Sequence, residues 1–318
     1  MNALTAPPLY DLILDFGGAR VIFSFKILVG VIAPIILKAL AVGLLTSVCA
    51  AMLGVPLVLK RYSMIGDGLS HTGFFAVAVA AACGAASGAQ IYITLPLVIA
   101  VAVVLLLLSE SGKFKGDSAI AMICTGAVAL GYIIFSLSSK GTGDVCSSLF
   151  GTAILALNMD DVAVSSVLAV GVIVVFVTLY NKIFSVTFDP AFSKSAGAPV
   201  KTVNVLLAVL TAVTVVVGMK MIGSIMISAL VVFPALAAMR VSKSFKGVII
   251  VSACLSAVCF LVGLFFATVV KFQFRSGGFA DVQIPVGPSV VCVNVVALIV
   301  CILVRKVKTA RAKKKAAN

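Results

Sequence analysis

The stretch "YSMIGDGLSHTGFFAVAVA" (62–80) places Asp67 and His71 at the start of a long apolar run. His71 is the only histidine among the 318 residues. Ionisable side chains inside a run of membrane-spanning length are costly, so each is a functional hypothesis by default. In a helix, residues i and i+4 lie on one face, with Cβ atoms about 5–6 Å apart. We therefore predict a helix over 66–88 that carries Asp67 and His71 side by side.

The remainder of the chain has the composition of a membrane protein. Hydrophobic residues make up 62% of the sequence and charged residues only 11%, and the mean hydropathy is +1.27. A soluble domain is about 25% charged. Apolar runs of about 18 or more residues recur, and each is long enough to cross a hydrocarbon core of about 30 Å as a helix. The sequence therefore predicts an all-α polytopic membrane protein with eight to nine transmembrane helices.

Nine segments are predicted to span the membrane, and one further apolar stretch precedes them. The predicted spans are 35–59, 66–88, 91–108, 117–138, 161–181, 200–219, 222–240, 247–270 and 285–304. The stretch 20–34 is also apolar, but Lys26 and Pro34 interrupt it. Two placements stay open for this stretch: it lies in the membrane interface, or it extends the first span.

Basic residues indicate the orientation of the spans. The net charge is +14, and Lys and Arg cluster at alternate span ends and in the tail "RKVKTARAKKK" (305–315). Because cytoplasmic loops of membrane proteins carry such an excess, we expect a multi-pass protein with a cytoplasmic C-terminus. The basic tail is then positioned to contact anionic membrane lipid, and we expect no nucleic-acid partner.

Several kinds of site are missing from the sequence. The chain has no Walker A motif, and therefore no ATP site of that type, and it lacks the HExxH motif of one class of zinc protease. Its eight cysteines are scattered without a CxxC pair, and most fall within apolar runs. We interpret them as small buried side chains rather than as a disulfide framework or a zinc knuckle.

One connection contains the signals of a short helix. In "SVTFDPAFSKSAGAPVK" (185–201), Asp189 is suited to cap a helix whose first residue is Pro190. Gly197 is suited to end this helix after about two turns. On the cytoplasmic side of a membrane bundle, such a helix is either a docking element or an ordinary structured loop.

The pair of Asp67 and His71 also has two interpretations. In the first, Asp67 stabilises the helix N-terminus and His71 simply donates to it. In the second, the pair binds a metal, because a carboxylate and an imidazole suit Zn²⁺, Mn²⁺ or Fe²⁺. One residue of each type is too few for a closed tetrahedral site, so a second copy of the chain across a two-fold axis is expected to complete it.

The segment "RYSMIGDGLSHTGFFAVAVA" (61–80) resembles the signature of the metal-uptake ABC permeases, the ABC-3 family. Five further stretches resemble other parts of that family in the same order: "DSAIAMICTGAVALGYII" (117–134), "SSLFGTAILALNMDD" (147–161), "FDPAFSKSAGAPV" (188–200), "MIGSIMISALVVFPALAA" (221–238) and "DVQIPVGPSVV" (281–291). The resemblance covers roughly residues 38–305. It implies the ABC-3 permease type of fold, with an N-terminal extension (1–37) that the family does not explain, a transmembrane permease domain (38–305) and a basic cytoplasmic tail (306–318).

The resemblance also implies a function and partners. The chain would be the permease subunit of an ATP-binding cassette importer for a divalent metal, Zn²⁺ or Mn²⁺ rather than iron, in a prokaryotic inner membrane. It would form a homodimer with a cytoplasmic ABC ATPase subunit and an extracytoplasmic metal-binding lipoprotein or solute-binding protein, and would hold no permanent cofactor. Asp67 and His71 match the family's metal path. The residues that match its ATPase-coupling helix are Asp189, Pro190, Ala191, Ala196 and Gly197.

Two other functions compete with this one. An ion-coupled secondary metal transporter needs its own coupling acids within the spans, but Glu110, Asp117 and Asp161 all fall at span ends. A membrane enzyme needs a nucleophile, a base and an orienting group, and this set is not available with one histidine and so few acids. We therefore expect a transporter subunit that is not itself an enzyme.

Overall fold

The computed structural model describes residues 11–16, 19–24, 33–62, 64–84, 90–110, 116–137, 159–275, 279–283 and 285–317. The strands are β1 (Asp11–Phe16), β2 (Ala19–Ser24), β3 (Val270–Arg275) and β4 (Phe279–Gln283). The helices are α1 (Ala33–Leu59), α2 (Ile65–Ala82), α3 (Gln90–Glu110), α4 (Gly116–Leu137), α5 (Met159–Phe188), α6 (Pro190–Ser195), α7 (Val200–Ile222), α8 (Ser224–Val241), α9 (Phe245–Val269) and α10 (Val286–Ala317).

The helices confirm the prediction of a polytopic membrane protein. Among the described residues, eight helices are long and apolar enough to cross a membrane, namely α1, α2, α4, α5, α7, α8, α9 and α10. Helix α3 is apolar over Gln90–Leu106 and takes the place of the remaining predicted span. Of the stretch "SSLFGTAILALNMDD" (147–161), residues 147–158 lie outside the described part of the chain.

A small antiparallel sheet accompanies the bundle, and the sequence analysis did not predict it. Its strand order is β1-β2-β3-β4, so a hairpin from the N-terminal extension adds to a hairpin between α9 and α10. The register pairs Ile22 with Lys271. Residues 19–24 are therefore a strand and not an extension of the first span. The two glycines between β1 and β2 are a local hairpin signal, but the pairing of β2 with β3 could not be predicted locally, because β3 lies far away in the sequence.

The helix bundle has two distinct ends. At the first, here called the basic end, the ring of Phe245 packs on Tyr180 and Phe184 of α5, with centroids 5.6 and 5.4 Å apart. The same end holds α6, and there Lys60 Nζ at the end of α1 donates to Asn204 Oδ1 of α7. At the opposite end, here called the sheet end, α9 continues directly into β3.

Helix α1 lies in the middle of the bundle and contacts α5, α7, α8 and α9. Its glycines permit close approach, since a Cβ at Gly54 would lie 1.8 Å from the carbonyl oxygen of Val231 in α8. The hydroxyl of Ser256 in α9 donates to the carbonyl of Ser47, at 3.0 Å. Small residues and interhelical hydrogen bonds of this kind hold helices together where the surroundings are as apolar as the side chains.

Replacing Gly54 by alanine is expected to destabilise the bundle. The new methyl group would overlap backbone atoms of α8, and overpacking of this kind costs about 1–3 kcal/mol. The purified chain in detergent should therefore melt at a lower temperature. Gly171→Ala is the matched control, because nothing lies within 4 Å of a Cβ built at Gly171 in α5. An unchanged melting temperature for Gly54→Ala would contradict the close approach of α1 and α8.

Candidate functional site

Helix α2 begins inside the bundle because glycines let its first turns approach three neighbours. A Cβ at Gly66 would lie 3.3 Å from the Val231 side chain of α8, and one at Gly68 would lie 2.6 Å from Ile120 Cγ2 of α4. A Cβ at Gly73 would lie 2.8 Å from the sulfur of Met219 in α7. Three helices therefore surround the first half of α2.

Asp67 and His71 lie side by side on α2, as the spacing predicts. His71 Nε2 is 3.3 Å from Asp67 Oδ1. The side chains are partly accessible, with 21% of His71 and 40% of Asp67 exposed. On its other oxygen, Asp67 Oδ2, the carboxylate accepts from the thiol of Cys124 in α4 at 3.7 Å. The Ser228 hydroxyl of α8 also interacts with this carboxylate.

The interpretation of this pair as a helix cap explains only part of the geometry. Asp67 is in the first turn of α2, where the helix dipole favours a carboxylate, but the N-cap residue is Met64, with no side-chain cap hydrogen bond. Within the described residues, the buried Nδ1 of His71 has no hydrogen-bond partner. Buried polar atoms are nearly always satisfied, so a purely structural role for His71 leaves one nitrogen unexplained.

The pair lies within the bundle and not at its basic end, although Lys60 and Arg61 precede it closely in the sequence. Cys124 is in the middle third of α4, and Val231, which faces Gly66, is near the middle of α8. The bond between Lys60 and Asn204 places the end of α1 beside the second turn of α7. The turn between α1 and α2 is therefore recessed from the basic end of the bundle. This position determines how far from that end Asp67 and His71 lie.

Cys124 is the member of this cluster that the sequence analysis missed. Its sulfur, an imidazole nitrogen and a carboxylate oxygen all lie within 4.8 Å of one another. In the sequence, Cys124 lies in an apolar run like most of the other cysteines, and it is therefore predicted to be a small apolar side chain. No local pattern distinguishes it from the others, because only the packing of α4 on α2 brings it to Asp67.

The second predicted site has the local structure that its capping signals indicate. Asp189 caps α6 by accepting from the Phe192 N–H at 2.9 Å, and Pro190 is the first helical residue. Ala196 is the C-cap, and Gly197 follows with φ of +79°, in the left-handed region that glycine adopts without strain. Ala191 lies exposed on this helix.

Helix α6 is fixed to the bundle on one side and exposed on the other. The buried hydroxyl of Ser193 is 2.6 Å from that of Ser185 in α5. The Phe192 side chain points away from the bundle and is 64% exposed. A groove runs from α6 to the turn before α2, and its lining includes Lys60, Tyr62, Pro190, Lys194, Lys201 and Asn204. The two predicted sites are thus separate, but this groove joins α6 to the segment that carries Asp67.

Comparisons with known proteins agree with one another on the kind of protein. The model of the family described as "ABC 3 transport family" matches residues 33–305. The chain is 25% identical over 233 residues to the "Manganese transport system membrane protein MntC" of Halalkalibacterium halodurans, which covers 73% of this chain and 78% of that protein. It is 27% identical over 213 residues to the "High-affinity zinc uptake system membrane protein ZnuB" of Haemophilus influenzae, which covers 66% and 79%.

A solved structure has the same fold. The structure titled "PsaBC from Streptococcus pneumoniae in complex with Fab" superposes with a TM-score of 0.69 and 23% sequence identity. The superposition covers 84% of this chain and 90% of that one. The arrangement of helices described above is therefore one that a solved structure also contains.

Loss of the cap at Asp189 is expected to loosen α6. Asp189→Ala removes the acceptor for the Phe192 N–H, and loss of such a cap costs about 1 kcal/mol. Hydrogen exchange at the Phe192 amide should then quicken roughly fivefold. Asp189→Asn is the matched control, because asparagine caps equally well without a charge. Equal exchange in Asp189→Ala and the wild type would show that the cap does not hold the helix.

Proposed function

Because the chain belongs to the ABC 3 transport family, we propose that it is the membrane permease subunit of an ATP-binding cassette importer for Zn²⁺ or Mn²⁺. The observation that carries this proposal is the group formed by Asp67, His71 and Cys124 inside the helix bundle. An ionisable pair at that depth is costly, and residues of this kind mark ion pathways in membrane proteins. The relatives named for manganese and zinc transport support the same class of cargo.

Asp67 and His71 are the proposed metal ligands on this path. A carboxylate oxygen and a neutral imidazole nitrogen suit both zinc and manganese. The two side chains are only half-buried, so an ion has access to them. A transport site must bind well enough to attract the ion and weakly enough to release it, and an incomplete ligand set meets both needs. A second copy of the chain would supply further ligands across a homodimer.

The energy for transport comes, in this proposal, from a separate ABC ATPase that docks on α6. The chain has no Walker A motif, so the nucleotide site lies on a partner. Helix α6 offers an exposed phenylalanine, Phe192, on a short capped helix at the basic end. The excess of basic residues at that end supports a cytoplasmic location for it and for the C-terminus.

The link from α6 to the metal ligands is the groove that includes Lys60 and Tyr62. A shift of α6 would act on the recessed turn between α1 and α2, and Asp67 is in the first turn of α2. At the opposite end of the bundle, the sheet would face the extracytoplasmic side, where a metal-binding lipoprotein or solute-binding protein delivers the ion.

Asp67→Ala or His71→Ala is expected to abolish metal uptake, because each removes a proposed ligand. Cells that lack the gene would be compared with cells expressing the wild type or each variant, under zinc and under manganese limitation. Elemental analysis should show one metal reduced in the deletion and not restored by either variant. Thr125→Ala, on the exposed face of α4, should restore uptake. Full uptake by Asp67→Ala or His71→Ala would refute the site, and an unchanged metal content in the deletion would refute the importer.

Phe192→Ala and Gly197→Ala are expected to uncouple ATP hydrolysis from transport. The first removes the exposed contact of α6 and the second strains its end, while neither touches the metal ligands. The complex with its ATPase, reconstituted in liposomes, should lose ATP-driven metal transport but keep metal binding. Phe266→Ala on α9 is the matched control, because Phe266 is also exposed but lies far from α6.

Unchanged ATP-driven transport in both α6 variants would refute the docking role of this helix. Metal transport by the permease alone, in liposomes without ATPase, would instead support an ion-coupled secondary transporter.

A further inference from the structure

We propose that Cys124 is a third metal ligand beside Asp67 and His71 and makes the permease prefer zinc over manganese. This inference rests on the proposed function and names the cargo that the site selects. Within the described part of the chain, these three residues form the single group of three histidine, cysteine or acidic residues whose ligand atoms lie close enough to hold one ion.

The position of Cys124 follows from how α4 packs on α2. Ile120 lies one helical turn before Cys124, and its side chain fills the space that a Cβ at Gly68 would occupy. Further along α4, a Cβ at Gly131 would lie 2.9 Å from the ring of Phe74 in α2. Close contacts on both sides of Cys124 therefore hold its sulfur beside Asp67.

The separations of the ligand atoms suit a zinc ion. With bonds of about 2.0 Å to nitrogen and oxygen and about 2.3 Å to sulfur, a tetrahedral site places N and O about 3.3 Å apart and O and S about 3.5 Å apart. The observed distances are 3.3 Å from His71 Nε2 to Asp67 Oδ1 and 3.7 Å from Cys124 Sγ to the second carboxylate oxygen, Asp67 Oδ2. Binding through a single oxygen therefore requires the carboxylate to turn, and the three ligand atoms already lie within 4.8 Å of one another. Only small side-chain movements would bring all three onto one ion.

The thiol is the group that distinguishes the two candidate metals. A carboxylate and an imidazole bind zinc and manganese alike, whereas a soft thiolate favours zinc and suits manganese poorly. On binding, the metal replaces the thiol proton, which leaves to solvent, and no electron is transferred. Three ligands from one chain do not close a tetrahedral site, so a coordination position remains for a ligand from the second copy of the chain.

Cobalt(II) absorption tests directly for a sulfur ligand, because a thiolate bound to cobalt produces strong charge-transfer absorption in the near ultraviolet. The full chain in lipid nanodiscs would be titrated with Co²⁺ as wild type, Cys124→Ser and Cys254→Ser. Cys254 is exposed on α9 and serves as the matched control. We expect the band in the wild type and in Cys254→Ser and its loss in Cys124→Ser. Absence of the band in the wild type, or its persistence in Cys124→Ser, would overturn the proposal.

Competition between Zn²⁺ and Mn²⁺ on the same samples measures the preference itself. Cys124→Ser should weaken zinc binding about tenfold or more, since even the loss of groups that support a ligand costs 10–100-fold. Manganese binding should change much less. Equal effects on the two metals would overturn the proposed role in selectivity.

Alkylation of the wild-type chain tests the same ligand without a variant, so the result does not depend on whether a variant folds. Zinc should protect Cys124 from alkylation, read by mass spectrometry, and manganese should protect it less, while Cys254 reacts equally in either case. Alkylation of Cys124 at the same rate with and without zinc would overturn the proposal.

The outcomes separate this inference from the proposed function. If Cys124→Ser keeps the cobalt band and the zinc preference while Asp67→Ala abolishes uptake, only the role of Cys124 fails. If Asp67→Ala and His71→Ala keep full metal uptake, the proposed metal path fails as well.

Discussion

Val231 of α8 packs against two glycines, Gly54 of α1 and Gly66 of α2, on either side of the turn between those helices. A Cβ at Gly54 would overlap the backbone of Val231 and separate α8 from α1, and one at Gly66 would crowd the Val231 side chain at 3.3 Å. The distance of the turn from the basic end therefore depends on this contact. The recessed turn brings the first turn of α2 into the bundle, and Asp67 and His71 with it. Close packing of small residues, which substitutes for the hydrophobic effect inside a membrane, thus positions the only carboxylate and imidazole pair in the described spans.

The same turn connects the proposed metal ligands, Asp67 and His71, to the basic end. Lys60 and Tyr62 line the groove that reaches α6, and α6 is fixed to α5 through Ser185 and Ser193. A helix that is capped at both ends and attached on one side behaves as a rigid unit. Force applied to its exposed face would therefore pass to α5 and α7, which α6 contacts. Helix α7 is in turn bound to the end of α1 through Asn204 and Lys60, just before the turn that leads into α2.

The cluster at α2 and α4 combines ligands of different chemistry. Asp67 supplies charge, His71 supplies a nitrogen donor, and Cys124 supplies a soft sulfur that contacts the same carboxylate. A fully closed set of thiolates would hold zinc too tightly for transport, whereas oxygen ligands alone would not select it. A set of one thiolate, one carboxylate and one imidazole would bind zinc less tightly than thiolates alone and more selectively than oxygen ligands alone.

Local patterns in the sequence were sufficient to predict the apolar spans and the placement of Asp67 and His71 on one helical face. They were also sufficient to predict the capped helix after Asp189. Each depends on residues within a few turns of one another, where periodicity and capping signals act. The pairing of β2 with β3, the depth of Asp67 and His71 and the position of Cys124 were decided by the tertiary structure alone. They depend on contacts between β2 and β3, between Gly66 and Val231, and between α2 and α4. Residues so far apart in the chain leave no mark in the local pattern, because what brings them together is the packing of whole helices and strands.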